Sequence, residues 1–132
     1  MLSDKSYVTF EVARRLKAIG FDEPVQTFYS VSSDRSRVWC GVSSSSENHN
    51  DADRHYSRPL LQEALFWFLN VHNISLRINH AESLYKRRWF FDCLNLNNGD
   101  YCDDDDYHTE YEDAINAGIS AMCEYLSNNA KR

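Results

Sequence analysis

The sequence predicts an α+β domain in which about four antiparallel strands have helices packed on one face. Apolar residues recur at three- and four-residue steps over three stretches, which is typical of amphipathic helices. Between these stretches lie short segments rich in β-branched and aromatic residues, which favour strands. In chain order the elements read α-β-β-α-β-β-α. For one domain of 132 residues, helices against one face of an antiparallel sheet bury all of these apolar faces.

The first predicted helix covers about residues 9–19. Thr9 is a suitable N-cap, Glu11 lies in the first turn where the helix dipole favours an anion, and Gly20 is a typical stop. The apolar face comprises Val12, Ala13, Leu16 and Ile19. The cations Arg14, Arg15 and Lys17 then point outward.

A β-hairpin is predicted next. Residues 25–31 and 37–42 are β-prone, and the polar turn residues 32–36 separate them. The following span, residues 43–58, is polar and shows no period, so we expect a long polar loop there.

The central stretch, residues 59–78, predicts a buried helix that runs directly into a strand. Pro59 suits a first helical turn, and Asn73 suits a left-handed stop. From Ile74 the apolar residues alternate by two, which indicates a half-buried strand. Residues 87–96 are strongly β-prone and should pair with it, although both of their faces are apolar, so the buried face stays open.

The last helix is predicted over about residues 110–127. Thr109 and Glu112 stand at capping-box spacing, and apolar residues at helical spacing follow. Residues 128–132 should fray at the C-terminus.

Composition limits the function. Twenty acidic and fourteen basic residues give a net charge of −6, which disfavours non-specific nucleic-acid binding. No apolar run reaches the ~18 residues that a membrane span needs. The four cysteines form no Cys-x-x-Cys pair and no signal peptide precedes them, so we expect reduced thiols, a cytoplasmic location and no cofactor.

Three blocks of the sequence form a recognisable set: YVTFEVARRLKAIGFDEP at residues 7–24, LQEALFWFLNVHNI at 61–74 and YEDAINAGI at 111–119. Together they resemble a group of small uncharacterised proteins from Bacteroidetes and their phages and mobile elements. The resemblance implies a phage or mobile-element accessory protein. It transfers no catalytic residue.

Two clusters have metal-ligand residue types. The first is the acidic run Asp103, Asp104, Asp105 and Asp106, which offers carboxylates to a hard cation but also suits the N-terminus of the following helix. The second alternates as His49, Asp51, Asp53 and His55 on the predicted loop, where solvation is the alternative to metal binding.

Two further clusters suggest other chemistry. Cys102, His108 and the acidic run lie near one another in sequence, as a nucleophile, base and acid would, but no oxyanion signature accompanies them. Three cations, Lys86, Arg87 and Arg88, precede Trp89 and form a basic-aromatic junction of the kind that binds nucleic acids, with Arg54 and Arg58 as additional contacts.

The aromatic residues exceed what a modest core needs, so we expect Trp39, Trp67 and Trp89 to line a pocket or an interface. The leading hypothesis is a non-catalytic accessory protein that binds a host protein or a small anionic ligand. A nucleic-acid-binding accessory protein using residues 86–91 and a metal-assisted hydrolase using the acidic run are the alternatives. The sequence also allows the protein to form a homo-oligomer.

Overall fold

A computed structural model describes residues 3–82, 87–104 and 106–130 and confirms the α+β class. The elements are α1 (Phe10–Ala18), β1 (Val25–Val31), β2 (Val38–Glu47), β3 (His55–Ser57), α2 (Leu61–Trp67), β4 (Ile74–Glu82), β5 (Arg87–Asn95), β6 (Tyr101–Asp103) and α3 (Tyr111–Ala130). The chain divides into two compact units, Met1–Leu60 and Leu61–Arg132. The predicted sheet of about four strands is wrong, since each unit has its own three-stranded antiparallel sheet.

Helix α1 begins and ends where its sequence predicts. The Thr9 side chain accepts a hydrogen bond from the backbone N–H of Val12 at 3.3 Å, and Gly20 follows the helix with φ +92°. The left-handed conformation at Gly20 is strained for residues with a Cβ, which explains why the helix stops there. The predicted core residues Val12, Ala13 and Leu16 are buried.

The first sheet has the strand order β2-β1-β3. Strands β1 and β2 form the predicted antiparallel hairpin, with Val31 opposite Val38. The predicted long loop over residues 43–58 is wrong, because β2 continues to Glu47, a 3₁₀ turn covers His49–Asp51, and β3 pairs with β1. Backbone hydrogen bonds to β1 hold this polar span in place, although its own sequence shows no apolar alternation.

Arg58 is a structural residue of the first unit and is 7% exposed. Its guanidinium stacks over the rings of Tyr7 at 4.2 Å and Tyr29 at 5.3 Å, and it bonds the Asp4 carboxylate at 3.2 Å. Cation–π contacts of this kind stabilise a buried guanidinium. Because the side chain is enclosed, the predicted nucleic-acid contact at Arg58 is wrong.

Helix α2 carries three buried residues of the central stretch, Leu61, Ala64 and Trp67. It starts at Leu61, two residues after Pro59, and passes into a π-helical turn over Phe68–His72. Asn73 then adopts the predicted left-handed conformation, with φ 56°. No helix in the described ranges combines the length and apolarity that a membrane crossing requires.

The second sheet has the order β4-β5-β6, and α3 packs on one of its faces. Phe91 and Cys93 are the buried apolar residues of β5, whereas Leu94 is exposed, which settles the apolar buried face of that strand. Gly118 of α3 brings the helix close to the sheet, because a Cβ there would lie 2.7 Å from Leu76 Cδ1. The helix continues through Ala130, residues 131 and 132 lie outside the described residues, and the expected fraying at residues 128–132 stays a prediction.

Candidate functional site

The first unit contains a groove between α1, the β1–β2 turn and β3. It consists of two cavities of about 370 Å³ and 260 Å³ that share Arg14, Arg35 and Tyr56 in their walls. We call this the Arg14–Arg35 groove. The larger cavity is also lined by Glu11, Arg15, Lys17, Ala18 and Asp53, and the smaller one by Phe10, Val31 and Val38.

The β1–β2 turn places the Arg35 guanidinium over the groove. Arg35 has φ 62°, a left-handed conformation that costs free energy for a bulky residue. Its backbone N–H donates to the Ser32 carbonyl at 2.9 Å, and its Nη1 donates to the Tyr56 hydroxyl at 3.3 Å. Unusual backbone conformations of this kind concentrate at functional sites.

Asp34 holds this turn in shape. Its Oδ1 accepts hydrogen bonds from the Ser32 hydroxyl at 2.7 Å, the Ser36 hydroxyl at 2.7 Å and the Ser36 N–H at 3.1 Å. The Ser32 bond and then the Ser36 bonds lower the pKa of Asp34 to about 2. The carboxylate is therefore ionised at neutral pH, and the turn that carries Arg35 is built before any ligand arrives.

The large cavity has an excess of positive charge on an acidic protein. Four cations line it, against the carboxylates of Glu11 and Asp53. Glu11 is shared between Arg14 at 3.0 Å and Arg15 at 3.3 Å. Within the described part of the chain, neither Lys17 nor Arg35 forms an ion pair.

Lys17 has neutral partners only. Its Nζ donates to the carbonyls of Ala52 at 2.8 Å and His55 at 2.8 Å, and it lies 4.5 Å from the centre of the Tyr56 ring. These contacts fix the ammonium without neutralising it. Its charge therefore remains available to an anion in the groove.

The small cavity has an aromatic and aliphatic wall. The Phe10 ring packs edge-to-face against Tyr56 at 5.4 Å and against Tyr29 at 5.5 Å. Val31 and Val38 complete this wall. Ring packing of this kind fixes Tyr56 between the apolar and the charged parts of the groove.

The three tryptophans predicted from sequence to bind a ligand differ in burial and in their neighbours. Trp39 lies on β2 and is 51% exposed, but Trp67 is 4% exposed and packs against Phe68 and His72. Trp89 is half-buried between His80 and Tyr111. Trp67 therefore belongs to the core of the second unit.

The predicted basic-aromatic junction is only partly described. Lys86 lies outside the described residues, and Arg87 is described only through its backbone pairing with Glu82. The exposed Arg88 guanidinium lies 5.7 Å from the centre of the Tyr107 ring. The Trp89 ring packs against His80 and Tyr111, and these contacts compete with stacking on a base.

The described residues of the acidic run do not gather into a cation site. Asp103 is exposed on β6 opposite Asp92, and the Asp104 carboxylate lies 2.9 Å from Nε2 of His108. Asp106 donates its backbone N–H to Asp104, and Asp105 lies outside the described residues. Among the described residues, no three His, Cys, Asp or Glu side chains are placed to hold a metal ion.

The alternating His and Asp residues of the polar span also separate. The His49 ring is buried and stacks on Phe28 at 4.4 Å, whereas the His55 ring lies 6.4 Å from it. Burial lowers the pKa of His49, although Glu47 opposes this effect. The imidazole is therefore neutral at pH 7.

His49 also belongs to an arrangement that the sequence did not suggest. Its Nε2 lies 3.3 Å from Ser43 Oγ and its Nδ1 lies 3.5 Å from Glu47 Oε1, in the order of a serine, base and acid. However, Ser43 Oγ donates to the Ser45 carbonyl at 2.5 Å and lies 3.1 Å from the Gln26 carbonyl. Its proton is therefore held by backbone acceptors, and the arrangement closes a turn.

Cys102 and His108 do not form the predicted nucleophile and base, because Cys102 is paired with Cys93. The two residues face each other across β5 and β6, with Cα atoms 5.4 Å apart, and are joined as a disulfide. The expectation that all four cysteines are reduced is wrong for this pair. Cys40 is exposed and Cys123 is buried, and both lie outside this disulfide.

Sequence patterns missed the Arg14–Arg35 groove because its residues come from three elements. The outward cations of α1 were visible as a stripe, but such a stripe is most often a solvated face. The polar turn around Arg35 and the short strand with Tyr56 gave no sign that they meet α1. The sequence feature that could have indicated the groove is the turn Ser-Asp-Arg-Ser of the hairpin, which contains no glycine.

Comparison of the chain with family models, with curated proteins and with solved structures gives no match. The resemblance to the proteins of Bacteroidetes and their phages and mobile elements therefore stays a prediction.

Proposed function

We propose that this protein is a non-catalytic binding protein whose ligand is a small anionic molecule held in the Arg14–Arg35 groove. The observation that carries the proposal is Arg35, a bulky cation kept at φ 62° by a prebuilt turn and aimed at Tyr56. A glycine would adopt this conformation without the steric cost, so the presence of Arg at this position favours a role for its charge.

The groove also suits the shape of an aromatic anion. The cations Arg14, Lys17 and Arg35 lie beside the apolar wall of Phe10 and Val38. Guanidinium groups bind carboxylate and phosphate through paired charge-assisted hydrogen bonds. A phosphate or carboxylate group on an aromatic ring therefore matches both parts of the groove.

A small anion is better supported than the protein partner that the sequence also allowed. Strand β2 exposes Trp39 on one face and Val38 and Val42 on the other, with no charged residue from 38 to 46, so nothing there specifies a partner. The phage or mobile-element setting and the cytoplasmic location are compatible with a small-molecule binder and remain part of the proposal.

An NMR titration with phenyl phosphate tests this function. We expect ¹H–¹⁵N shifts in the backbone of α1 and the β1–β2 turn and in the Nε–Hε signals of Arg14 and Arg35. Phenol, which has the ring without the anion, should give no such shifts. Higher ionic strength should weaken binding because the groove is open to solvent.

Matched variants locate the binding site. Arg14→Gln and Arg35→Gly should each weaken phenyl phosphate binding by roughly tenfold or more, the effect of losing a charge-assisted hydrogen bond. Arg37→Gln is the control, because Arg37 is an exposed arginine of the same turn that does not line the groove. Equal affinity in all three variants would overturn the proposal.

A further inference from the structure

We propose that Cys93 and Cys102 form a thiol–disulfide exchange site at the edge of the second sheet, and that its redox state controls the attachment of β6 to β5. The partner is a low-molecular-weight thiol. This inference is independent of the Arg14–Arg35 groove.

The two cysteines differ in access. Cys93 lies on the central strand and is 5% exposed, whereas Cys102 lies on the edge strand β6, all three of whose residues are exposed. An attacking thiolate reaches the accessible sulfur of a disulfide, which here belongs to Cys102. Both cysteines also line a small apolar cavity of about 40 Å³ together with Leu94, Tyr101 and Met122.

Exchange proceeds in two balanced steps. A small thiolate attacks Cys102 Sγ, the bond between the two cysteine sulfurs breaks, and its electron pair leaves on Cys93 Sγ, which takes a proton from water. A second small thiolate attacks the sulfur of the first small thiol in the mixed disulfide and releases Cys102 as a thiolate, which is protonated. Two small thiols are thereby oxidised to their disulfide, and the protein disulfide is reduced to two thiols.

Strand β6 depends on this link because it is short. It pairs with β5 over three residues only. Flanking hydrogen bonds join Asn95 N–H to the Asp100 carbonyl at 2.8 Å and Asp104 N–H to the Phe91 carbonyl at 2.9 Å. A disulfide across such a short pairing opposes local opening of the strand, and its reduction removes that constraint.

The charge around Cys102 selects among small thiols. Asp100 and Asp103 are exposed beside it in sequence and supply the negative charge, because the Asp92 carboxylate opposite Asp103 is bound by Arg77 at 2.7 Å. Negative charge repels an anionic thiolate donor such as glutathione and attracts a cationic one such as cysteamine. Cysteamine should therefore reduce the disulfide faster than glutathione at low salt, with a smaller difference at high salt.

Intact-mass analysis tests which sulfur exchanges. In a Cys40→Ser background, which removes the other exposed thiol, Cys93→Ser should form a mixed disulfide with cystamine at Cys102. In the same background, Cys102→Ser should remain at least about tenfold less modified at the buried Cys93. Equal modification of the two variants would overturn the proposed attack at Cys102.

The unmodified chain provides a test that needs no variant. After oxidation by cystamine, a non-reducing peptide map should link Cys93 to Cys102, and reduction by cysteamine should speed amide exchange of Asn95 and Asp104 by roughly tenfold or more. If cystamine fails to oxidise the two thiols, the proposed exchange site is overturned. If reduction leaves amide exchange unchanged, the proposed redox control of β6 attachment is overturned.

Discussion

Replacing Gly41 by alanine should destabilise the first unit, because Gly41 lies under the Phe28 ring. A Cβ at residue 41 would lie 2.5 Å from Phe28 Cζ and 2.8 Å from Cε2, well inside van der Waals contact. The ring cannot simply move away, since it is packed against His49 at 4.4 Å and His55 at 4.6 Å.

The magnitude follows from two opposing terms. Overpacking of this kind costs about 1–3 kcal/mol, and replacement of glycine recovers up to ~1 kcal/mol of backbone entropy. We expect a net loss of about 1–2 kcal/mol. For 132 residues this corresponds to a Tm roughly 4–7 °C lower in a calorimetric scan.

A double-mutant cycle separates this clash from other effects. Phe28→Leu shortens the side chain that meets the new methyl group, so the double variant should be more stable than the sum of the two single changes by ~1 kcal/mol. A Gly41→Ala protein as stable as the wild type, or strictly additive changes, would refute the proposed packing of Phe28 on Gly41.

Three further predictions concern buried side chains. Arg58→Ala should lower the free energy of unfolding by about 2–3 kcal/mol in urea denaturation, and Arg58→Lys should restore less than half of it, because the lysine lacks the planar stacking group; full stability of the alanine variant would argue against the stacking. Burial lowers the pKa of His72 below its ordinary value of 6.5, so the unfolded state binds more protons and stability should fall as the pH drops from 7 to 5. In thermal scans, His72→Asn should reduce this dependence of stability on pH. An unaltered pH dependence would contradict the attribution to His72. Trp67→Ala should lower the free energy of unfolding by about 3–5 kcal/mol, and Trp39→Ser should lower it by less than ~0.5 kcal/mol. The reverse order would contradict the burial of Trp67 and the exposure of Trp39.

Local chemistry predicted the element types well. Thr9 caps α1 and Asn73 adopts a left-handed conformation because each needs only its own short segment to act. The hairpin of β1 and β2 was predicted for the same reason, since its β-prone segments flank a polar turn.

The two short strands were missed for a physical reason. Strand β3 contains His55 and Ser57 and strand β6 contains Cys102 and Asp103, so neither shows apolar alternation. Each is defined by backbone pairing with a strand more than five residues away in sequence. A pattern of side chains does not indicate such pairing. Because these two strands were not predicted, the predicted number of sheets was also wrong.

Pairing of distant residues also decided the buried face of β5. Both sets of its alternating side chains are apolar, so the sequence left the choice open. In the structure α3 packs on the side of Phe91 and Cys93, and Gly118 meets Leu76 and Phe91 there. The pairing of Cys93 with Cys102, which are nine residues apart, was likewise not predictable from the sequence pattern, because it depends on the pairing of β5 with β6.

The candidate site was hardest to predict because it depends on charge left without a partner. The sequence shows the cations of α1 but not that Glu11 serves two of them while Lys17 meets only neutral groups. It also shows a polar turn but not the left-handed Arg35 within it. Both facts require the three-dimensional arrangement.

The most direct test of the proposed function measures stability and phenyl phosphate binding together in Arg35→Gly. If Arg35 is kept in a costly conformation for its charge, the glycine variant should be more stable by about 0.5–1 kcal/mol, or ~2–4 °C in Tm, while its affinity falls roughly tenfold or more. A variant that is no more stable and binds phenyl phosphate as well as the wild type would contradict the account.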